Sequence, residues 1–150
     1  MYTTTVSRLI DADRQEIYRA LLDPDAVARW RVPDGMRGEV HELDARVGGR
    51  IRMSLMYDDP AHAGKSGGAT DTYTGTYVEL VEGERVVEVV AFETDDPGLD
   101  QEITMTTTLR DAPGGTEVEL RLDGMPDGVP ATDNELGSRM ALDALARLVG

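Results

Sequence analysis

Cysteine is missing from all 150 residues, which excludes disulfides, thiol nucleophiles and Cys-ligated metals together. Aromatics are sparse, with one Trp and one Phe against five Tyr, so a core must rest on aliphatic side chains and methionine. No apolar run approaches the roughly 20 residues that cross a bilayer. Met1–Asp11 has no basic segment leading into an apolar one, so no secretory leader is expected and a cytoplasmic location is. Positive charge is scarce too: Lys65 is the only lysine, and 15 basic residues face 29 acidic ones for a formal charge of −14. Phosphate contact needs clustered Lys and Arg. Nucleic acid and anionic membranes are therefore excluded as partners, and the acidic surface is read as a solubilising one.

What is present indicates one domain, 1–150, long enough to bury about 70% of its unfolded surface. The chain is organised around its last stretch, Thr132 to Val149, read as a long helix. Thr132 and Glu135 form a prospective capping box, and Pro130 blocks an earlier start. Glu135, Arg139, Asp143 and Arg147 make a polar stripe with each acid four residues before a base. Gly137, Ala141, Ala144, Leu145 and Leu148 lie opposite, with Met140 and Leu136 on the flank. The small residues of that face imply either close approach to a sheet or a void beside Gly137, Ala141 and Ala144.

Upstream, Thr3–Ile10 reads as a strand, Asp13 and Asp23 as N-caps of two short helices, and Pro24 as the first residue of the second. That second helix ends at Trp30, which either plugs one end of the core or walls a ligand. From Gly38 the periodicity changes to two. Strands are predicted over Val40–Asp44 and Ile51–Tyr57, with Arg46-Val47-Gly48-Gly49 turning between them. Thr72–Val81 and Arg85–Glu93 form a hairpin about Glu82-Gly83, followed by strands around Ile103–Leu109 and Val118–Leu122. Short connections imply an antiparallel sheet with one buried face, and the terminal helix is the element long enough to cover it. The class is α+β.

Three words within this order carry a resemblance: Asp23-Pro24-Asp25-Ala26-Val27-Ala28-Arg29-Trp30, Asp44-Ala45-Arg46-Val47-Gly48-Gly49-Arg50 and Gly75-Thr76-Tyr77-Val78-Glu79-Leu80. In order and spacing the chain resembles the START-like (SRPBCC) superfamily, and within it the family related to the C-terminal domain of the heat-shock protein 90 ATPase activator. The resemblance implies a helix-grip fold, in which a curved antiparallel sheet wraps the long C-terminal helix around a cavity, with two short helices after the first strand. It brings no catalytic residues. Two departures stand out: Leu136-Gly137-Ser138 occupies the helix start where relatives often carry tryptophan, and Glu88 interrupts Val86-Val87-Glu88-Val89-Val90.

Motif by motif, little chemistry survives. Gly64-Lys65-Ser66-Gly67-Gly68 matches a nucleophile elbow in outline, but both histidines, His41 and His62, precede Ser66. As a P-loop it lacks the first glycine, since Asp59 stands there. Asp58, Asp59 and His62 fall short of a metal signature, so neither metal nor cofactor is expected. Glu88 is ambiguous. A two-residue turn at Glu82-Gly83 pairs it with Tyr77, yet the opposite face, with Thr76, Val78, Leu80, Val87 and Val89, looks more like core. The family comparison points Val86, Glu88 and Val90 inward, where Tyr77 or Arg52 would be the partner of Glu88. The leading expectation is a binder of a small hydrophobic molecule, its cavity lined by Trp30, Met53, Leu55, Tyr57, Tyr77, Glu88, Met105, Met140 and Ala144. Methionine suits such a wall because it adapts to irregular shapes. The alternatives are a regulator of a chaperone ATPase and, behind it, a cyclase- or dehydratase-type enzyme using Glu88, His41 or Tyr77. Monomer and homodimer both stay open.

Overall fold

The computed structural model describes residues 1–59, 61, 64 and 68–150. The elements are β1 (Tyr2–Ile10), α1 (Arg14–Leu22), α2 (Pro24–Trp30), β2 (Met36–Leu43), β3 (Arg50–Tyr57), β4 (Thr70–Val81), β5 (Arg85–Phe92), β6 (Ile103–Ala112), β7 (Gly115–Met125) and α3 (Ala131–Val149). Strands β2 to β7 follow one another as an antiparallel meander, and β1 pairs with β7, giving the order β1-β7-β6-β5-β4-β3-β2. Among the described residues the result is a curved seven-stranded sheet with three helices, the α+β class expected from the element order and the helix-grip arrangement implied by the resemblance.

Both short helices start where their caps dictate. The Asp13 carboxylate accepts from the Glu16 amide at 2.7 Å and Asp23 from the Ala26 amide at 2.9 Å, with Pro24 in the first turn of α2. Ile17, Ala20 and Leu21 then fall on one buried face of α1 at helical spacing. The long helix departs from its expected start. It begins at Ala131 behind Pro130, and no side chain caps it, so the Thr132–Glu135 box does not form. Pro130 itself stands at the N-cap, with an extended ψ of 134°, which places Thr132 inside the first turn rather than at the cap.

Two polar contacts lay α3 along β1. The Thr4 hydroxyl donates to the Asn134 side-chain carbonyl, and Arg8 Nε donates to Asp143 at 2.7 Å. Nine helical residues rise about 13.5 Å and four strand residues span about 13 Å, so the contacts share one spacing. The helix and strand therefore run in step. Asp143 thus serves the sheet, while Glu135 and Arg139 keep their intrahelical contact at 3.4 Å. The face α3 buries is Ser138, Ala141, Leu142 and Leu145. Leu148 and Leu136, placed by the periodicity on or beside that face, are exposed. Docking against β1 and α2 rotates the buried stripe toward Ser138 and Leu142.

Candidate functional site

The concave face is settled by the hairpin of β4 and β5. Tyr77 pairs with Glu88, Gly75 with Val90 and Tyr73 with Phe92, so these side chains share one side of the sheet. Val86, Glu88 and Val90 are all buried, as the family comparison indicated. Val78, assigned by alternation to a core-like face, is 47% exposed. The reason is local. The turn closes on Val81 and Arg85, one residue longer than a two-residue loop, and the register shifts between Tyr77 and Glu79. The extra turn residue and the irregularity at Val78 cancel, which restores the Tyr77–Glu88 pairing.

Tyr77 is held from the other side as well. Its amide donates to Gly49 O at 2.9 Å, and its carbonyl accepts from the Gly48 amide at 2.8 Å. The turn can come this close because Gly49 lacks a side chain: a Cβ there would lie 2.0 Å from Asp44 O. Gly75, between Tyr73 and Tyr77 on the same face, is equally constrained. Its Cβ would stand 2.6 Å from a Val90 methyl and 3.1 Å from an Ile51 methyl. Those two side chains close over the glycine and separate the tyrosines.

Opposite this face, α2 ends at Trp30, whose indole N–H donates to Ala20 O at 3.0 Å. That bond ties α2 to α1 and accounts for the tryptophan's polar atom within the core. The next residue, Arg31, caps the helix and carries its guanidinium into the interior. Arg31 Nη2 lies 2.8 Å from Glu88 Oε1, with the two side chains only 7% and 3% exposed. By geometry the pair is a charge contact: among the described residues Oε1 accepts no aligned hydrogen bond. The guanidinium also lies 5.1 Å from the centre of the Tyr73 ring, within cation–π range. The Tyr73 hydroxyl donates to Met53 Sδ at 3.1 Å. The Tyr77 hydroxyl is buried without a partner among the described residues.

Electrostatics keep both phenols neutral. Burial pushes Tyr77 upward and the Glu88 carboxylate adds to the rise, with Arg31 opposing it. Burial also raises Tyr73, partly offset by Arg31. For Arg31, desolvation pulls downward, but Glu88 more than offsets it and the net direction is up. The interior thus presents one cation, one anion and two phenols.

Of the residues named from sequence, Tyr77, Glu88, Met53 and Met105 share this concave face: Glu88 pairs with Tyr77 and with Met105. Trp30 is buried beside Arg31, and Ala144 packs half-buried against the core. Met140 is half-buried on α3, as are Leu55 and Tyr57 at the far end of β3. There the Tyr57 hydroxyl donates to the buried Asp71 carboxylate at 3.0 Å. Burial first, and Asp71 second, push Tyr57 up to about 12. At Gly137 a Cβ would meet, among the described residues, only Pro33, at 3.8 Å, so α3 is not tightly packed there. A shallow, open depression of 360 Å³ lies elsewhere, between Arg19, Asp23, Arg29 and Leu148.

One expected partner of Glu88 and one candidate acid–base residue lie elsewhere. Arg52 lies on the opposite face from Glu88 and holds Glu93 by two hydrogen bonds, at 2.7 and 2.9 Å. His41 is likewise across the sheet, 2.8 Å from Ser54 Oγ, and cannot act with Glu88 or Tyr77. His62, Lys65, Ser66 and Gly67 lie outside the described residues; among those described, no three candidate ligands gather to hold a metal. Sequence reasoning missed Arg31 and Asp71. The signal for Arg31 was Glu88 itself, because an acid on an inward strand position requires a buried cation. Asp71 shares the parity of Tyr73 and Tyr77.

Among the described residues no helix is long and apolar enough to cross a membrane. Comparison with curated proteins gives no match. Among solved structures, protein CV1439 of Chromobacterium violaceum is 35% identical, with a TM-score of 0.87, 98% of this chain and 96% of that one being covered. A Rhodobacter sphaeroides protein at 20% identity has a TM-score of 0.80, covering 97% of this chain and 90% of that one. An AHSA1-like protein from Aeromonas hydrophila at 21% identity has a TM-score of 0.74, covering 99% and 92%; these two show the fold alone. The family described as "Activator of Hsp90 ATPase homolog 1-like protein" matches residues 11–150. With nearly the whole chain matched and a 35% identical relative of the same architecture, the protein belongs to the activator of Hsp90 ATPase homolog 1-like family, within the SRPBCC superfamily.

Proposed function

We propose that the protein binds a small, largely apolar molecule between α3 and the concave face of the sheet, in the cytoplasm. The observation that carries this reading is the buried Tyr77 hydroxyl, without a partner among the described residues, on the face that also carries Met53 and Met105. A core selected only for stability does not retain an unpaired hydroxyl, because such a group costs about 1–3 kcal/mol. Methionine on the same face suits a wall that adjusts to a guest. Native mass spectrometry of freshly purified protein should show an added mass that disappears on denaturation. Hydrophobic compounds should raise the melting temperature with concentration. Protein that arrives empty and is stabilised by no compound of a broad apolar panel would sink the reading.

The family match favours a second reading, regulation of a chaperone ATPase. Its test is direct: the purified chain should bind the ATPase and change its turnover. An unchanged turnover with saturating protein dismisses it. An enzymatic role for Glu88 is weaker, since its charge is balanced by Arg31 at 2.8 Å and His41 lies across the sheet.

A further inference from the structure

Resting on the ligand-binding reading, we infer that the ligand carries one uncharged hydroxyl on its apolar body, held between the Tyr77 hydroxyl and Glu88 Oε1. The charge balance comes first. Arg31 and Glu88 cancel, and Tyr73 and Tyr77 are neutral phenols. A carboxylate guest would place a second anion beside Glu88, and an ammonium a second cation beside Arg31. Either leaves an unbalanced charge out of water, which is strongly disfavoured.

Hydrogen-bond capacity then selects among neutral groups. Tyr77 can donate and accept, whereas Glu88 Oε1 can only accept. The two residues are paired across adjacent strands, so their side chains are neighbours on the concave face. Both atoms are buried and neither has an aligned partner among the described residues. A guest hydroxyl accepts from Tyr77 and donates to Glu88, completing both. A ketone serves only Tyr77, and a hydrocarbon serves neither.

The test titrates the full chain at pH 7 with 1-naphthol, 1-methylnaphthalene and 1-naphthoate. These share an aromatic body and differ in the one group. Naphthol should bind about a hundredfold tighter than methylnaphthalene, the worth of about two hydrogen bonds, and naphthoate should be weakest. Tyr77→Phe should cut naphthol's advantage over methylnaphthalene by about tenfold, the worth of the one hydrogen bond removed, while leaving the latter's affinity unchanged. Glu88→Gln, which leaves Arg31 unbalanced, should move naphthoate from last to first. Equal binding of all three, or naphthoate preferred by the parent protein, overturns the hydroxyl anchor and leaves an apolar site standing. Failure of all three to bind overturns the ligand-binding reading together with the anchor. Should Glu88→Gln not fold, Tyr77→Phe decides alone. It removes an unpaired group and should melt no lower than the parent. A lower melting temperature shows that the hydroxyl already has a partner within the protein, which overturns the anchor.

Discussion

Replacing Arg31 by methionine leaves the Glu88 carboxylate in the interior without the cation that faces it in the structure. The consequence can be sized. Unit charges about 4 Å apart attract by about 4 kcal/mol at an effective dielectric near 20, and breaking one side of a buried pair costs about 3–5 kcal/mol. The lost contact with the Tyr73 ring adds about 1 kcal/mol. Arg31→Met should therefore remove about 4–6 kcal/mol, a large part of the roughly 5–15 kcal/mol available to a domain. Glu88→Leu should cost about 3–5 kcal/mol by stranding the guanidinium. The double variant, with neither charge, should fall within about 2 kcal/mol of the parent, because apolar residues of similar volume replace a buried pair at little net cost. Urea unfolding of all four proteins yields the coupling energy, expected to be at least about 3 kcal/mol. Effects that simply add, with coupling below about 1 kcal/mol, would show that the two groups act independently and refute the pair as the electrostatic centre of the interior.

Other outcomes follow from single atoms. Gly75→Ala should destabilise by about 1–3 kcal/mol, since its methyl meets Val90 at 2.6 Å. Gly137→Ala, whose methyl would meet Pro33 at an ordinary 3.8 Å, should stabilise by up to about 1 kcal/mol through helix propensity, both read by thermal unfolding. Asp23→Ala should cost about 1 kcal/mol through loss of the Ala26 cap, whereas Thr132→Ala should stay within about 0.5 kcal/mol because Thr132 caps nothing. Hydrogen bonds from Arg52 and then Thr74 hold Glu93 down at about 2. Its folded value lies below the unfolded one of about 4.3, so the contribution is present above about pH 5 and lost as pH falls through about 2. Glu93 is well exposed, so solvent screening limits Glu93→Gln to under about 1 kcal/mol at pH 7. The two stability curves should merge below about pH 2.

Local chemistry was legible in the sequence wherever neighbouring residues decide the outcome. Asp13 and Asp23 cap their helices, Pro24 opens α2, and the change of period at Gly38 announces the sheet. These features depend on the chain within a few residues, so propensity and spacing reach them. The motif words carried the family and, with the element order, the fold. The direction Glu88 points was a different kind of question. It turns on one residue added at the Val81–Arg85 loop and one irregularity at Val78 that cancels it, and a shift of one residue sends every side chain of a strand to the other face. Arg31 escaped for the same reason. Nothing beside it in sequence requires burial; its partner lies 57 positions on, and only the closing of α2 over the concave face brings the two charges to 2.8 Å. Thr132 failed as a cap because Pro130 holds the N-cap and leaves Thr132 inside the first turn, and the buried stripe of α3 rotated because Asn134 and Asp143 are claimed by β1. The sequence by itself determined which elements form and the family they belong to. Tertiary structure alone decided which polar groups are buried together, because partner choice across the interior is set by strand register and helix docking rather than by neighbours along the chain.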